Sequence, residues 1–95
     1  MIIDKGFSTN DVVTIKLTSG EEIIASFIEE NDKYVKVSKP RVLASAQNGI
    51  GLAPYLFTVD PNKDVKIYKP VVVIEATERD YASQYTQATT GIKIL

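Results

Sequence analysis

Asp-Val-Val-Thr-Ile-Lys-Leu (11–17), Thr18-Ser19-Gly20-Glu21, Glu-Ile-Ile-Ala-Ser-Phe-Ile (22–28), the polar run Glu29 to Lys33, and Tyr-Val-Lys-Val-Ser (34–38) read in succession as strand, glycine turn, strand, polar turn, strand. Val13, Ile15 and Leu17 alternate with Val12, Thr14 and Lys16, the period of a strand with one buried face. Gly20 supplies the positive φ that a tight hairpin needs. In the second run Ile23, Ala25 and Phe27 alternate with Ile24, Ser26 and Ile28, so both faces carry apolar groups and the second face is expected to be covered as well. This meander predicts a small, bent, mainly β domain.

Outward from the meander, the third strand is expected to continue past Pro40 into Arg41–Ser45, with a bend or bulge where proline cannot donate to a ladder. Gln47–Gly51 reads as a turn and Leu52–Val59 as a fourth strand made irregular by Pro54. Asp60-Pro61-Asn62-Lys63 is a strong turn signal. Val65–Lys69 and Val71–Ala76 hinge at Pro70, either as two strands or as one strand changing sheets at a corner. The period then changes. Thr77 followed by Asp80 is a variant capping box, and Tyr81, Tyr85 and Ala88 share one helical face, which predicts a helix over 78–89 ended near Gly91. Ile92–Leu95 is apolar enough to dock onto a neighbour. The expected organisation is an N-terminal arm over 1–10, a β domain over 11–77, and a helix with its tail over 78–95.

A chain of 95 residues with 44% hydrophobic and 24% charged residues has the composition of a single globular domain. A domain this small hides only roughly 60–65% of the surface its unfolded chain exposes, so association between subunits would add needed burial. No run of about 18 apolar residues exists, which argues against a membrane span. Met1-Ile2-Ile3-Asp4-Lys5 lacks the basic start and apolar stretch of a secretory leader, and the expected location is the cytoplasm. With neither His nor Cys, zinc sites of N and S ligands and Ser-His or Cys-His nucleophile pairs are excluded. Glu21-Glu22 and Glu29-Glu30 form no carboxylate dyad, because adjacent residues of a strand point to opposite faces. No catalytic residue, metal or cofactor is expected. The net charge of −1 supplies no general field for nucleic acid, so any RNA binding depends on local clustering.

These residues resemble the Sm/LSm family, including its bacterial Hfq branch, and are most similar to small Sm-like proteins of tailed phages of marine bacteria. The alternating first strand, Gly20, the long second strand and the Asn31-Asp32 turn look like the Sm1 motif. Ile67-Tyr68-Lys69-Pro70-Val71-Val72 is similar to the Sm2 segment of Hfq, with Pro70 where Hfq has His. The resemblance implies a strongly bent five-stranded antiparallel Sm-like barrel with a short C-terminal helix. It further implies a homo-oligomeric ring, pentamer, hexamer or heptamer, in which the fourth strand of one subunit pairs with the fifth of the next. Tyr55, Leu56 and Phe57 on one edge, and Val71, Val72, Val73 and Ile74 on the other, are the expected interface residues.

The implied ligand is single-stranded RNA, handled as a chaperone or processing factor would handle it. Tyr68 and Lys69 stand at the corner that faces the pore in Hfq; their plain alternative is interface packing and an exposed cation. Lys33, Lys36, Lys39 and Arg41 form a basic stripe around Tyr34, which fits an aromatic that stacks a base among cations that hold phosphates. The plainer alternative is a solvated edge whose lysines prevent aggregation, with Glu29, Glu30 and Asp32 close by to reduce the local potential. Asn31 either contacts a base edge or makes an Asx turn with Asp32. The competing reading of the whole chain is an assembly ring that binds phage or host proteins and no nucleic acid.

Overall fold

The computed structural model describes residues 6–46 and 49–90. Its elements are β1 (Val12–Leu17), β2 (Glu22–Glu30), β3 (Tyr34–Ala46), β4 (Gly49–Pro54), β5 (Asp64–Tyr68), β6 (Val71–Ala76) and α1 (Arg79–Thr90). The first hairpin forms as its glycine dictates. Gly20 has φ 98°, its amide donates to the Leu17 carbonyl at 2.9 Å, and the Leu17 amide donates to Glu21 at 2.8 Å. That turn sets the register Val13↔Ala25 and Ile15↔Ile23, and all four side chains are fully buried. With Phe27, Val35, Val37 and Ile67 they make the core, to which each fully buried Val or Ile contributes about 1.5–3 kcal/mol.

The fold is mainly β, an antiparallel six-stranded sheet with one C-terminal helix. Its order is β4-β3-β2-β1-β6, with β5 also on β3. The 13-residue β3 serves two partners on one side, β5 along Tyr34–Ser38 and β4 along Arg41–Ala46. Between these stretches lies a bulge. β2 advances from Ile24 to Ser26 while β3 advances from Ser38 to Arg41, and the extra residue is absorbed with Lys39 at φ 53°. Pro40 follows, where the missing N–H costs no ladder bond. The carbonyls freed by the bulge are taken up by a side chain from α1: the Tyr85 hydroxyl lies 2.9 Å from the Lys39 oxygen and 3.1 Å from the Ser38 oxygen. Ser26 Oγ, 3.1 Å away, completes the cluster. Tyr85 is 1% exposed and Ile24 2%, so the second face of β2 is covered, as its two-sided apolar pattern requires.

Several expectations are corrected. Among the described residues there are six strands rather than five, and no ladder joins the outer edges of β5 or β4 to β6, so the sheet is open. The fourth strand is Gly49–Pro54, not 52–59, and Tyr55, Leu56 and Phe57 lie beyond it in irregular chain. Residues 65–69 and 71–76 resolve into two strands on different edges. Thr77 does not cap the helix with its side chain; its amide still bonds to Val12 at 3.1 Å and its hydroxyl pairs with that of Thr14 at 2.8 Å, so the helix starts at Arg79, one residue later than expected. Ala88 is exposed rather than on the buried face with Tyr85. Gly49, Ile50 and Gly51, expected in the 47–51 turn, pair with β3 as the start of β4, whereas Gln47 and Asn48, residues 1–5 of the arm, the cap at Gly91 and the tail 92–95 fall outside the described residues. No helix among those described is long and apolar enough to cross a membrane.

β5 and β6 belong to opposite sides of the sheet, yet only Lys69 and Pro70 separate them in the chain. Three residue steps span at most about 11 Å, so the sheet curls until Tyr68 and Val71 meet at one corner. That corner positions the candidate site.

Candidate nucleic-acid interface

The solvent face of the β3–β5 pair follows from strand alternation. Val35, Val37 and Ile67 turn inward to the core, which leaves Tyr34, Lys36, Lys66 and Tyr68 outward. The register places Tyr34 opposite Tyr68 and Lys36 opposite Lys66. The tyrosine rings meet edge-on, centroids 5.7 Å apart at 71°, the arrangement favoured by their quadrupoles. Lys66 Nζ lies 4.9 Å from the Tyr34 ring centroid, a cation–π contact. Tyr68 remains 65% exposed, which leaves ring surface free to stack on.

Lys69 closes this corner. Its amide donates to the Lys33 carbonyl at 2.9 Å, and its Nζ is 2.6 Å from Glu30 Oε2, both side chains being about one-third exposed. An open cleft of about 690 Å³ lies beside them, lined by Phe7, Phe27, Glu30, Asn31, Asp32 and Lys69 among others. Asn31 makes the Asx turn: its Oδ1 accepts from the Lys33 and Tyr34 amides at 2.8 and 2.9 Å, which commits that oxygen to the loop.

The basic stripe does not hold together as one surface. Lys33 is exposed and Lys36 half-buried beside Lys66, whereas Lys39 occupies the bulge. Arg41 is 8% exposed and turned to its own fold, its Nη1 donating to Pro61 O at 2.6 Å and Pro40 O at 3.1 Å, its Nη2 to Asn62 Oδ1 at 3.0 Å. It fastens the 60–62 turn over the outer face of β3. Sequence reasoning passed over Lys66. Alternation in Val65-Lys66-Ile67-Tyr68 puts it beside Tyr68, but its pairing with Lys36 depends on a register that only the folded sheet supplies.

The expected interface residues divide between two open edges. Val72 and Val73 on β6 are 60% and 43% exposed, while Val71 and Ile74 are half-buried and pack on the core. On the other side Phe57 is 94% exposed and Leu56 36%, whereas Tyr55 packs against the core. Burial first, and the Glu21 carboxylate second, raise the Tyr55 phenol above its ordinary pKa of 10.0. Leu17, Tyr55, Leu56 and the β5 residues Val65 to Tyr68 line a groove of about 390 Å³, and Lys69 to Ile74 line one of about 430 Å³ along β6. Among the described residues no group of three acidic side chains converges to hold a metal ion.

No family model matches the chain, and no curated protein matches it in sequence.

Proposed function

We propose that this chain is the subunit of an Sm-like homo-oligomeric ring that binds single-stranded RNA at the Tyr34–Tyr68–Lys69 corner, as a chaperone or processing factor does. The observation that carries the reading is that, among the described residues, β5 and β6 have unpaired outer edges that meet at Lys69-Pro70 and expose Tyr68, Val72 and Val73. Edges of this kind are templates for pairing with another chain. If β5 of one subunit joins β6 of the next, each copy repeats the same contact, and such heterologous contacts close into a ring when the rotation permits. The curled sheet then completes a barrel-like core within each subunit, and one Lys69 per subunit gathers around the common axis.

Light scattering coupled to size exclusion tests the assembly: a mass several times the 10.5 kDa chain supports it, and a monomer at micromolar concentration overturns it. Titration of labelled oligo-U and oligo-A at low and higher salt tests the ligand. Salt-sensitive, saturable binding supports the reading, and no binding at tens of micromolar protein at low salt removes it.

A specific observation favours a second reading, an assembly ring that binds phage or host proteins without nucleic acid. Lys69 is engaged by Glu30, Arg41 is buried against Pro61, and the chain's net charge is −1. Preparations free of nucleic acid by absorbance ratio, combined with a negative oligonucleotide titration, distinguish it from the first.

A further inference from the structure

The facing lysines Lys36 and Lys66 are a local contradiction in the sheet. Opposite-charge pairs stabilise an antiparallel ladder and like charges directly opposite destabilise it, yet here the register sets two ammonium groups across from one another. Neither is within ion-pairing distance of a carboxylate among the described residues. Positions where a fold keeps an unfavourable local choice are candidates for function. We infer that Lys36 and Lys66 form a seat for one phosphate of a single-stranded nucleic acid, next to the base-stacking surface of Tyr68. The inference rests on the RNA reading above and extends its path along β3 and β5, away from the Lys69 corner.

Three features of the geometry favour a phosphodiester. Tyr34 holds Lys66 by the cation–π contact and Tyr68 by the edge contact, so ammonium and open ring are positioned together by one side chain. The two register pairs are neighbours on one face, and a nucleotide whose base stacks on Tyr68 has its phosphate one sugar away, over the next pair. Finally, the carboxylates border the seat on two sides only: Glu29 is opposite Lys36 on β2, across β3 from Lys66, and Asp64 is opposite Ser38, at the end remote from the tyrosines. An anion therefore approaches from the β5 side, over Lys66 and Tyr68. A base without a phosphate would gain nothing from the lysines.

The test compares wild-type protein with Lys36→Gln, Lys66→Gln and the double variant, by fluorescence anisotropy of a labelled oligo-U across a range of salt concentrations. Loss of one phosphate contact on a single strand lowers the log–log salt slope by about 0.7. The double variant is expected to show that decrease with a several-fold weaker affinity at low salt, while each single variant loses part of it. An abasic oligonucleotide of the same length is expected to show the same decrease between wild type and double variant. Melting temperatures of the variants, unchanged or raised by relief of repulsion, establish that the sheet is intact. Wild-type binding with an unchanged slope and affinity in a folded double variant overturns the phosphate seat alone. Absence of RNA binding by the wild type overturns the RNA reading and the seat with it.

Discussion

Replacing Tyr85 by Phe removes one oxygen atom from a site where three groups depend on it. The hydroxyl serves the Ser38 and Lys39 carbonyls at the β3 bulge and pairs with Ser26 Oγ, while the ring is 1% exposed. Phe keeps the ring packing but strips the bulge of its donor. Leaving buried polar groups unsatisfied costs about 1–3 kcal/mol, so the expected loss is about 2 kcal/mol. For a domain of 60–100 residues each kcal/mol lowers the melting temperature by about 4–8 °C, so Tyr85→Phe is expected to melt roughly 8–16 °C below wild type. Circular dichroism melts at pH 7 and equal protomer concentration measure this, since assembly makes melting temperatures concentration-dependent.

A pH series adds a check specific to the hydroxyl. Burial is the main cause that raises the Tyr85 phenol above 10.0; the Ser26 hydroxyl and Arg41 guanidinium act in the opposite direction. A folded-state pKa raised above the unfolded value gives stability that is complete below pH 10.0 and is lost as pH rises through the folded pKa. The gap between wild type and Tyr85→Phe is therefore expected to narrow in alkaline solution. Melting within about 2 °C of wild type at pH 7, less than the shift expected for even 1 kcal/mol, would refute the assignment of Tyr85 as the group that satisfies the bulge.

Three further outcomes are expected. Gly20→Ala meets no atom within 4 Å, so its whole effect is the φ of 98°, about 1–3 kcal/mol read as a lower urea midpoint with an unchanged m-value. Glu30→Gln releases Lys69 from its ion pair and, under the RNA reading, tightens oligo-U binding and steepens the salt slope by about 0.7; an unchanged slope would mean that Lys69 touches no phosphate. Val73→Asp puts a carboxylate on the exposed face of β6 and is expected to reduce the scattering mass toward that of one chain, whereas an unaltered mass excludes this edge from the assembly.

The meander was legible because each of its signals has a single physical meaning: alternation for a buried face, glycine for positive φ, and an apolar second face for a second cover. Asn31 was legible too, as the Asx turn that competes with any base contact. Arg41 was not. It stands in sequence with Lys36 and Lys39, but the bulge changes parity in mid-strand, so that Val35 and Val37 face the core before it and Val42 after it. The guanidinium emerges on the outer face, where the 60–62 turn folds over it through contacts some 20 residues away in the chain. The strand expected at 52–59 failed for a related reason. Leu56 and Phe57 have strand-like apolarity, yet the chain must leave β4 there to reach β5, farther along the same side of β3. Lys66 required register, which is a property of two strands and not of either one.

Self-association, as proposed, does not depend on what the ring binds. A strand edge in a monomer is ordinarily guarded by charge, proline or a covering loop. β5 has such guards in Asp64 and Lys66, but Val71 to Ile74 on β6 carries no charge before Glu75, and Val72 and Val73 present their side chains to solvent. A second copy whose β5 edge pairs there would satisfy the backbone of both strands at once and bury the two valines. Among the described residues these two edges are unpaired, one on each side of the Lys69-Pro70 corner. In the proposed ring, ligand chemistry and assembly are thus separable: Lys36, Lys66 and Glu30 would govern the first, Val72 and Val73 the second, and a variant in either set is expected to leave the other property standing.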